Sequence, residues 1–360
     1  MDNEPEPRTE PGLKVVVIGA TGNVGTGVVG ALSREPAVDE IVGVARRPTN
    51  WSCPKTSFTT ADIRSDDLRP IVRGADAVIH LAWLFQPTHR PEVTWSNNVL
   101  GAISVFEAVA AEGVPALLYS SSVAAYSPGS STERVTEEWP THGRPGAAYP
   151  REKSYLERYL DAFELRNPET RLVRIRPYFI FKRESATSQR RLFLGPFLPG
   201  NLVRGGLLPV VPLVKDLRFQ VLHTSDVADA FARAVVRPVR GAFNLATEPA
   251  VDGAYLADLF SARGIPMPRT VLREAVRAAW RTHLAPASPG LLDTVLSLPL
   301  LDCTRARTEL GWTPRYSPQE ALGELLTGLQ EGAGMPTAPL APDSLRRRMH
   351  EVATRVGRRP

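Results

Sequence analysis

The chain has 360 residues, of which 43% are hydrophobic and 22% are charged, and its formal net charge is +5. This length and composition predict a large hydrophobic core, so neither disulfides nor structural metal ions are needed for stability. The two cysteines, Cys53 and Cys303, are too few for a disulfide framework or a zinc site and are typical of a reducing compartment. No run approaches the roughly 18 apolar residues that span a membrane, and the acidic N-terminus does not resemble a secretory signal. We therefore expect a cytoplasmic protein with no membrane association and no metal site.

Most of the positive charge lies near the C-terminus. Residues 341–360 contain six arginines against two acidic residues, a local net charge of +4 that leaves about +1 for the rest of the chain. A body so close to neutrality argues against a nucleic-acid partner. We predict a solvated terminal helix over residues 343–356, with a polyanion-binding tail as the alternative.

The first half of the chain alternates strand and helix patterns. Residues 1–12 are polar and proline-rich and are predicted to be a disordered tail, and the run LKVVVIG from Leu13 predicts a buried parallel strand. Further strand patterns lie at 40–44, 77–81, 116–120 and 172–177, with helical periodicity at 24–33 and 97–112. This alternation predicts an α/β fold with a Rossmann-type, doubly wound parallel sheet.

The second half has a looser pattern. Residues 183–216 are rich in Gly, Pro and Arg, and short strands are predicted at 219–223 and 241–245. We interpret 13–180 as a Rossmann dinucleotide-binding domain and 181–330 as mainly a smaller, C-terminal substrate-binding lobe with strands that return to the Rossmann sheet. Residues 331–360 are then a basic C-terminal tail.

Three glycines, Gly19, Gly22 and Gly25, lie between the first predicted strand and the first predicted helix. Glycine lets the backbone turn tightly and approach a diphosphate closely, and the helix N-terminus offers free N–H groups to the phosphates. An ordinary tight turn is the alternative. The position of the motif directly after a buried strand favours a dinucleotide site.

The end of the second strand indicates which dinucleotide binds. Enzymes that prefer NAD usually carry a carboxylate there, which binds the ribose 2′-hydroxyl, whereas this chain has Arg46 and Arg47. Two guanidinium groups suit the additional 2′-phosphate of NADP. The sequence therefore predicts a preference for NADP, and two solvated arginines beside a permissive NAD site are the alternative.

A tyrosine and a lysine are spaced by one helical turn. Tyr149 and Lys153 lie on one face of a predicted helix that Pro150, which is tolerated in a first turn, helps to begin. A neighbouring ammonium favours the phenolate, so we expect Lys153 to lower the pKa of Tyr149 toward the working range of a general acid or base.

A serine run ends the strand at 116–120, at the carboxyl edge of the sheet where open α/β folds bind ligands. Ser122 is placed to hydrogen-bond a substrate oxygen beside Tyr149. Serine clusters and Tyr/Lys pairs are individually common, and their order after the glycine loop makes the combination informative.

Together these motifs resemble the extended short-chain dehydrogenase/reductase family, also called the NAD-dependent epimerase/dehydratase family, over roughly residues 13–328. Further matches lie at 61–63, 77–82, 98–101, 223–228, 243–246 and 309–314. The resemblance implies that Tyr149 is the general acid/base, that Ser122 orients the substrate oxygen, and that Lys153 binds the nicotinamide ribose. It also implies that Asn98 supports Lys153 through water, with a capping or turn role as the alternative. The predicted cofactor-binding residues are Gly19, Thr21, Gly22, Asn23, Val24, Gly25, Arg46, Arg47, Asp62, Ile63, Leu81, Ala82, Ser120, Tyr149, Lys153 and Pro177.

With a bound nicotinamide, these groups suit hydride transfer between NADP(H) and a carbonyl or alcohol of a small-molecule substrate. Val123 follows Ser122 where dehydratase relatives carry an acidic pair, which disfavours a dehydratase. Phe179 and Phe219 stand where nucleotide-sugar relatives tend to carry an asparagine and an arginine. With Trp83, Phe85 and Trp95 nearby, we favour an apolar, uncharged substrate, and a nucleotide-sugar epimerase is the alternative. These aromatic residues also suit a hydrophobic core.

Other residues have structural interpretations. We expect His80 and His223 to be structural histidines beside buried strands, and Asp226 to cap or support the helix it precedes. A non-catalytic NADP-binding redox sensor is a further alternative, although such relatives commonly lose the tyrosine or lysine. The resemblance also implies a homodimer that pairs through the helices at 97–112 and 149–167.

Overall fold

The computed structural model describes residues 12–85, 90–130, 132–195, 210–215 and 217–353. Residues 1–11, most of the predicted N-terminal tail, lie outside this part, as do 196–209 and 216 of the Gly/Pro/Arg-rich stretch and 354–360 of the predicted tail. The strands are β1 (Leu13–Ile18), β2 (Val38–Ala45), β3 (Thr56–Thr60), β4 (Ala77–His80), β5 (Ala116–Ser120), β6 (Arg134–Val135), β7 (Arg171–Pro177), β8 (Phe179–Phe181), β9 (Val210–Val214), β10 (Arg218–Phe219), β11 (Val221–His223), β12 (Gly241–Leu245), β13 (Val251–Asp252), β14 (Arg263–Met267) and β15 (Leu300–Leu301).

Helices connect most of these strands. They are α1 (Asn23–Arg34), α2 (Arg69–Val72), α3 (Pro91–Thr94), α4 (Gly101–Ala111), α5 (Ala148–Arg166), α6 (Ala186–Gln189), α7 (Thr224–Val236), α8 (Gly253–Phe260), α9 (Arg269–Arg281), α10 (Pro289–Val295), α11 (Thr304–Thr308), α12 (Pro318–Glu331) and α13 (Leu345–Ala353). π-helical turns occupy Trp95–Leu100 and Arg190–Leu194, and 3₁₀ turns occupy Val123–Ala125 and Arg183–Ser185. The helix predicted at 97–112 is thus a π-helical turn that continues into α4.

Seven strands form one sheet in the order β12-β7-β5-β4-β1-β2-β3, and all neighbours are parallel. The chain moves outward from β1 to β3 and then returns to place β4 on the other side of β1. A crevice for ligands opens at such a reversal, beyond the carboxyl ends of the strands. The predicted Rossmann-type, doubly wound fold is confirmed.

Both faces of the sheet are buried under helices, as the hydrophobic strand sequences require. Along β1, Val15 and Val17 point into the core that α1 and α7 cover, whereas Val16 and Ile18 point into the core that α4 and α5 cover. The continuous apolar run of β1 therefore supplies both cores, and the ends of the strands stay fixed relative to the helices that carry the site residues.

Two differences from the predicted elements concern short strands. β3 was not predicted, because its sequence TSFTT is polar and only partly buried at the sheet edge. The strand predicted at 219–223 is divided at Gln220, so that β10 pairs with β13 and β11 pairs with β8. Most of the smaller paired strands, with α8 to α10, lie in the part of the chain interpreted as the substrate-binding lobe, whereas β6 precedes this part and β8 lies at its boundary.

The predicted C-terminal helix is present as α13, and most of its described side chains are exposed, as expected, but the segment that contains it is attached to the body of the protein. Thr337 is 3% exposed, and α13 carries Glu351, which is 8% exposed and paired with the buried Arg190. A buried ion pair and a buried hydroxyl fix this segment on the body of the protein. Within the described ranges, no helix has the length and apolar character needed to cross a membrane.

Candidate active site

The glycine loop between β1 and α1 uses its three glycines for different reasons. Gly19 has a φ of 90°, and a Cβ there would lie 2.6 Å from the backbone nitrogen of Ala82. A Cβ on Gly25 would lie 2.1 Å from the carbonyl oxygen of Gly19, so both positions require glycine for the turn and for close packing. A Cβ on Gly22 would meet only one atom, at 3.5 Å, and would project into open space. That space is available to a phosphate group.

A cleft of about 740 Å³ runs along the carboxyl edge of the sheet. Its volume is within the range of roughly 300–1,000 Å³ found for small-molecule and cofactor sites. The predicted site residues that line it are Gly19, Gly22, Asn23, Val24, Gly25, Arg46, Arg47, Leu81, Ala82, Ser120, Ser122, Tyr149, Lys153 and Pro177. The fold therefore brings residues from six separate segments to one cavity.

Three predicted residues do not line this cleft. Thr21 is buried, and its carbonyl oxygen accepts a hydrogen bond from Thr337. The carboxylate of Asp62 is bound by Arg64, whose hydrogen bonds lower the pKa of Asp62. Ile63 packs against the core beneath the sheet. The resemblance implies that Asp62 and Ile63 border the adenine of the cofactor, and this role stays a prediction.

Ser122 and Tyr149 meet at the cleft. Ser122 follows β5 in extended conformation, and its hydroxyl accepts a hydrogen bond from the backbone N–H of Ala124 at 3.1 Å. Tyr149 stands in the first turn of α5 and lines the same cleft, where the neighbouring Ser122 side chain acts to lower its pKa. The two groups thus present two adjacent hydroxyls to one point of the cleft.

Lys153 is buried beside them. Its ammonium donates hydrogen bonds to the carbonyl oxygen of Ser120 at 2.7 Å and to the hydroxyl of Tyr119 at 3.2 Å. The indole of Trp83 lies over the same ammonium, with the Nζ atom 3.5 Å from the ring centroid. Burial lowers the pKa of Lys153 well below its usual value, and Glu157 and Glu152 oppose this effect.

The expected lowering of the Tyr149 pKa by Lys153 is not found. Burial raises the pKa of Tyr149 to about 12, and the neighbouring Ser122 side chain acts in the opposite direction. The Lys153 Nζ atom is 6.0 Å from the Tyr149 ring centroid and is held by Ser120 and Trp83. Helical spacing placed the two residues on one face, but other contacts direct the ammonium away from the phenol.

A buried carboxylate that was not predicted supports the serine run. Glu157 is fully buried on α5, one turn beyond Lys153, and accepts hydrogen bonds from Arg176 at 2.9 and 2.8 Å and from the hydroxyl of Ser121 at 2.5 Å. Burial alone would raise the pKa of Glu157, but Arg176 and Arg174 lower it to about 2. The recurrence of Tyr149, Lys153 and Glu157 every four residues was a signal in the sequence for this inward face.

Asn98 does not contact Lys153. Its amide nitrogen donates to Glu152 at 2.8 Å and to the carbonyl oxygen of Leu84 at 3.2 Å, and its amide oxygen accepts from the N–H of Leu84 at 2.7 Å. Asn98 therefore joins the π-helical turn to α5 and to the segment after β4. These contacts give Asn98 a structural role, and its predicted support of Lys153 through water stays a prediction.

His223 has the satisfied structural surroundings expected of both histidines, whereas His80 is buried on the wall of the cleft and neither of its ring nitrogens has a hydrogen-bond partner within the described residues. Burial lowers the pKa of His80 to about 3, and its ring stacks on Tyr119 with centroids 6.0 Å apart. His223 caps α7 by accepting from the N–H of Ser225, and its other nitrogen is 3.0 Å from Glu324.

Asp226 does not precede a helix but lies in the first turn of α7. Its carboxylate accepts hydrogen bonds from the backbone N–H groups of Arg315 and Tyr316. The expected helix cap is therefore His223, and Asp226 instead fixes the segment that leads into α12.

Comparison with known proteins identifies the family. The chain matches the model of the NAD-dependent epimerase/dehydratase family over residues 15–246, well over half of its length. The chain belongs to this family. The resemblance inferred from its motifs is thereby confirmed.

Two relatives and one solved structure illustrate the similarity to other members of the epimerase/dehydratase family. An uncharacterised protein of Mycobacterium tuberculosis is 25% identical over 331 residues, which cover 87% of this chain and 83% of that protein. A UDP-glucose 4-epimerase of pea, Pisum sativum, is 25% identical over 346 residues, which cover 85% of this chain and 93% of that protein. The structure of the Thermus thermophilus UDP-glucose 4-epimerase in complex with NAD is 21% identical, with a TM-score of 0.65 and coverage of 89% of this chain and 100% of that one. At this identity the structural similarity establishes the fold.

Aromatic residues cover the wall of the cleft around Tyr149. Phe85 packs on Tyr149 with ring centroids 4.6 Å apart, and Phe193 packs on Phe85 at 5.9 Å. Phe179 lines the cleft and contacts Phe219 at 5.6 Å, so the two aromatic replacements noted in the sequence touch each other. Trp95, in contrast, packs on Tyr155 and does not line the cleft.

The sequence did not predict several other residues of the cleft. They come from the turn around Arg190–Leu194, from α10 and from the C-terminal segment, and they include Ser188, Gln189, Arg191, Leu192, Phe193, Pro286, Leu291, Thr294, Val295, Ala338, Pro339, Leu340 and Glu351. No motif marks them, because their position depends on contacts between distant parts of the chain. Among the residues with described positions, no cluster of three His, Cys, Asp or Glu side chains could hold a metal ion.

Proposed function

We propose that the protein is an NADP(H)-dependent oxidoreductase that interconverts a carbonyl and an alcohol on a largely apolar small molecule. The observation that carries this proposal is that Ser122, Tyr149 and the buried Lys153 all line the cleft that contains the glycine loop. A proton donor, an oxygen-orienting hydroxyl and a water-excluding surface are what a hydride-transfer enzyme must supply.

The glycine loop fits a dinucleotide. Gly22 leaves open space above the N-terminus of α1, and no described side chain caps that end of the helix. Its N–H groups and the positive end of the helix dipole suit the diphosphate. Lys153 has three donor protons and uses two on Ser120 and Tyr119, so one is left for a ribose hydroxyl. When bound, the nicotinamide supplies or accepts the hydride.

Tyr149 and Ser122 would handle the proton at the substrate oxygen. Because burial raises the pKa of Tyr149, its phenol is protonated at neutral pH and can donate to the oxygen of a carbonyl that is being reduced. The Ser122 hydroxyl holds that oxygen next to the phenol. In the direction of alcohol oxidation, the same phenol must first lose its proton.

The preference for NADP over NAD rests on Arg46 and Arg47. Both are exposed at the end of β2 and line the cleft on the side of the glycine loop. Their positive charge suits the extra phosphate, and the carboxylate of Asp62, which interacts electrostatically with Arg46, offsets part of it. NAD remains the alternative cofactor. Titration with NADPH and NADH at moderate salt tests this choice, and equal or tighter binding of NADH would refute it.

The preference for an apolar substrate rests on the aromatic surface around Tyr149. Trp83, Phe85 and Phe193 lie on one side, and Phe179 lies where a polar contact to a nucleotide diphosphate is common among nucleotide-sugar relatives. A phenyl ring cannot hydrogen-bond a phosphate. Apolar contact area is therefore the main source of substrate affinity that this wall provides.

A nucleotide-sugar epimerase is the second candidate. It is favoured by the pea relative and the Thermus thermophilus structure, both UDP-glucose 4-epimerases, and it would use the same Ser122, Tyr149 and Lys153. The distinction is experimental. Oxidation of NADPH in the presence of apolar ketones and aldehydes, without conversion of UDP-glucose or UDP-galactose, supports the oxidoreductase. Conversion of the UDP-sugar with no ketone reduction would overturn it.

We also propose a cytoplasmic homodimer. The helices implied as the dimer interface expose Leu100 and Leu165, at 51% and 85% of their surface. Light scattering of the purified protein measures its mass directly, and a mass near 39.3 kDa would refute the dimer.

A further inference from the structure

The segment after α12 returns to the dinucleotide cleft. We call residues 332–353 the C-terminal strap. Its residues Ala338, Pro339 and Leu340 line the same cleft as Gly22 and Arg46, although the family match ends at residue 246. We propose that the strap is part of the dinucleotide site, where residues 338–340 form a wall beside the glycine loop that retains bound NADP(H). This inference rests on the cofactor assigned under the proposed function.

The strap is attached directly to the glycine loop. The buried Thr337 donates its hydroxyl hydrogen to the carbonyl oxygen of Thr21 at 2.9 Å, across 316 residues of sequence. At the start of the strap, the hydroxyl of Thr187 donates to the carbonyl oxygen of Ala333 at 2.8 Å. The ammonium of Lys182 lies between the strap and α1, 3.7 Å from the Met335 sulfur of the strap and 2.6 Å from the Thr26 hydroxyl of α1. Both ends of this part of the strap are therefore fixed to elements that form the cleft.

A buried ion cluster anchors the rest of the strap. The guanidinium of Arg190, whose side chain is 2% exposed, donates to Glu351 at 3.1 and 3.3 Å and lies 3.5 Å from Asp343. Asp343 also accepts a hydrogen bond from Arg348 at 2.9 Å. Charges in such a position are tolerated only when they remain paired, so the cluster specifies one path for the strap. Glu351 itself lines the cleft.

This placement affects a bound ligand in two ways. A wall made by Leu340, which is 1% exposed, and its neighbours keeps water away from the phosphates, and charge-assisted hydrogen bonds are stronger where water is excluded. A dinucleotide seated against the glycine loop also has to pass residues 338–340 when it leaves. Removing the anchor should therefore change the dissociation rate more than the association rate.

Two variants of the full chain test the proposal. Glu351→Gln weakens the ion pair with Arg190 that anchors the strap. Ala338→Trp introduces a bulky side chain into the cleft at a partly exposed position. The matched control is Glu331→Gln, which weakens an exposed pair with Arg183 outside the cleft. The dissociation rate of NADPH is measured by stopped-flow fluorescence, with excess unlabelled NADP as the displacing ligand. Hydrogen exchange of peptides from 333–343 is measured with and without NADPH.

We expect Glu351→Gln to release NADPH at least about fivefold faster and Ala338→Trp to weaken its binding at least about tenfold, with the control within twofold of wild type. NADPH should slow hydrogen exchange in the strap. The role of the strap alone is refuted if the wild type binds NADPH, if both variants release and bind NADPH as the wild type does, and if NADPH does not slow hydrogen exchange in the strap. Failure of the wild type to bind either NADPH or NADH refutes the proposed cofactor, and the inference with it. If Glu351→Gln does not fold, Ala338→Trp and the exchange measurement still decide the question.

Discussion

Two glycine substitutions in one loop should separate folding from cofactor binding. In Gly25→Ala, the new methyl group would lie 2.1 Å from the carbonyl oxygen of Gly19 and 2.7 Å from the carbonyl carbon of Ala20. Neither backbone atom can move without shifting the end of β1, so we expect a loss of about 1–3 kcal/mol or more in the free energy of unfolding. In Gly22→Ala, the nearest atom is 3.5 Å away and the backbone is extended, with a φ of −80°. Its stability should remain within about 1 kcal/mol of wild type.

Gly22→Ala, the variant expected to keep its stability, should nevertheless lose affinity for NADPH. The methyl group of Gly22→Ala projects into the space that we assign to a phosphate, so we expect binding to weaken at least about tenfold, or about 1.4 kcal/mol, in a protein that remains folded. Urea unfolding gives the stability of each variant, and NADPH fluorescence titration gives the affinity. A folded Gly22→Ala protein that binds NADPH as tightly as wild type would refute the assignment of this space to the diphosphate.

Three further predictions concern pH, buried charge and cofactor choice. Burial raises the pKa of Tyr149 to about 12, so the phenol stays protonated and kcat/KM for carbonyl reduction should be flat between about pH 6 and 9. Over the same range, kcat/KM for alcohol oxidation should rise about tenfold per pH unit, because the phenol must first lose its proton. An oxidation rate that levels off near pH 8 would contradict this assignment. Glu157→Gln should cost about 3–5 kcal/mol of unfolding free energy, because it leaves the buried Arg176 without a countercharge, and a loss below about 1 kcal/mol in urea unfolding would show that the pair is dispensable. In wild type, whose Glu157 pKa is lowered to about 2, this stabilisation is complete above about pH 4.5 and is lost as the pH falls toward 2. Replacing both Arg46 and Arg47 by Ser should weaken NADPH binding at least about tenfold and leave NADH binding within twofold, whereas equal losses for both would exclude a contact with the 2′-phosphate.

The sheet was predictable because its strands are defined by local sequence. Residues 15–18 of β1 are apolar at every position, since they supply both cores, and such a run is typical of a buried parallel strand. β3 gave no such signal, because an edge strand needs little burial and its residues are mostly Thr and Ser. The division of the predicted strand at 219–223 depends on Gln220, whose side chain bonds to Leu301 and Glu248 far along the chain.

The candidate site was predictable in its backbone but less so in its side-chain orientations. The glycine loop, the end of β5 and the start of α5 are each fixed by local geometry, so their residues reach one cleft as expected. Whether Lys153 faces Tyr149 depends instead on Trp83 and Ser120, which come from other segments. The C-terminal strap is the extreme case, because its Pro-, Ala- and Arg-rich sequence resembles a tail and only contacts such as Thr337 with Thr21 reveal its place.

The central claim is that Tyr149 exchanges the proton with the substrate oxygen beside a bound NADP(H). The most direct test compares Tyr149→Phe with wild type in two quantities. One is the affinity for NADPH, and the other is kcat/KM for an apolar ketone or aldehyde that the wild type reduces. We expect Tyr149→Phe to lose about 10²- to 10⁴-fold in kcat/KM, with its NADPH dissociation constant within twofold of wild type. Turnover by Tyr149→Phe within tenfold of wild type would contradict the claim. A wild-type protein that binds NADPH but reduces no carbonyl and converts no sugar would also contradict it, because this is the behaviour of a redox sensor.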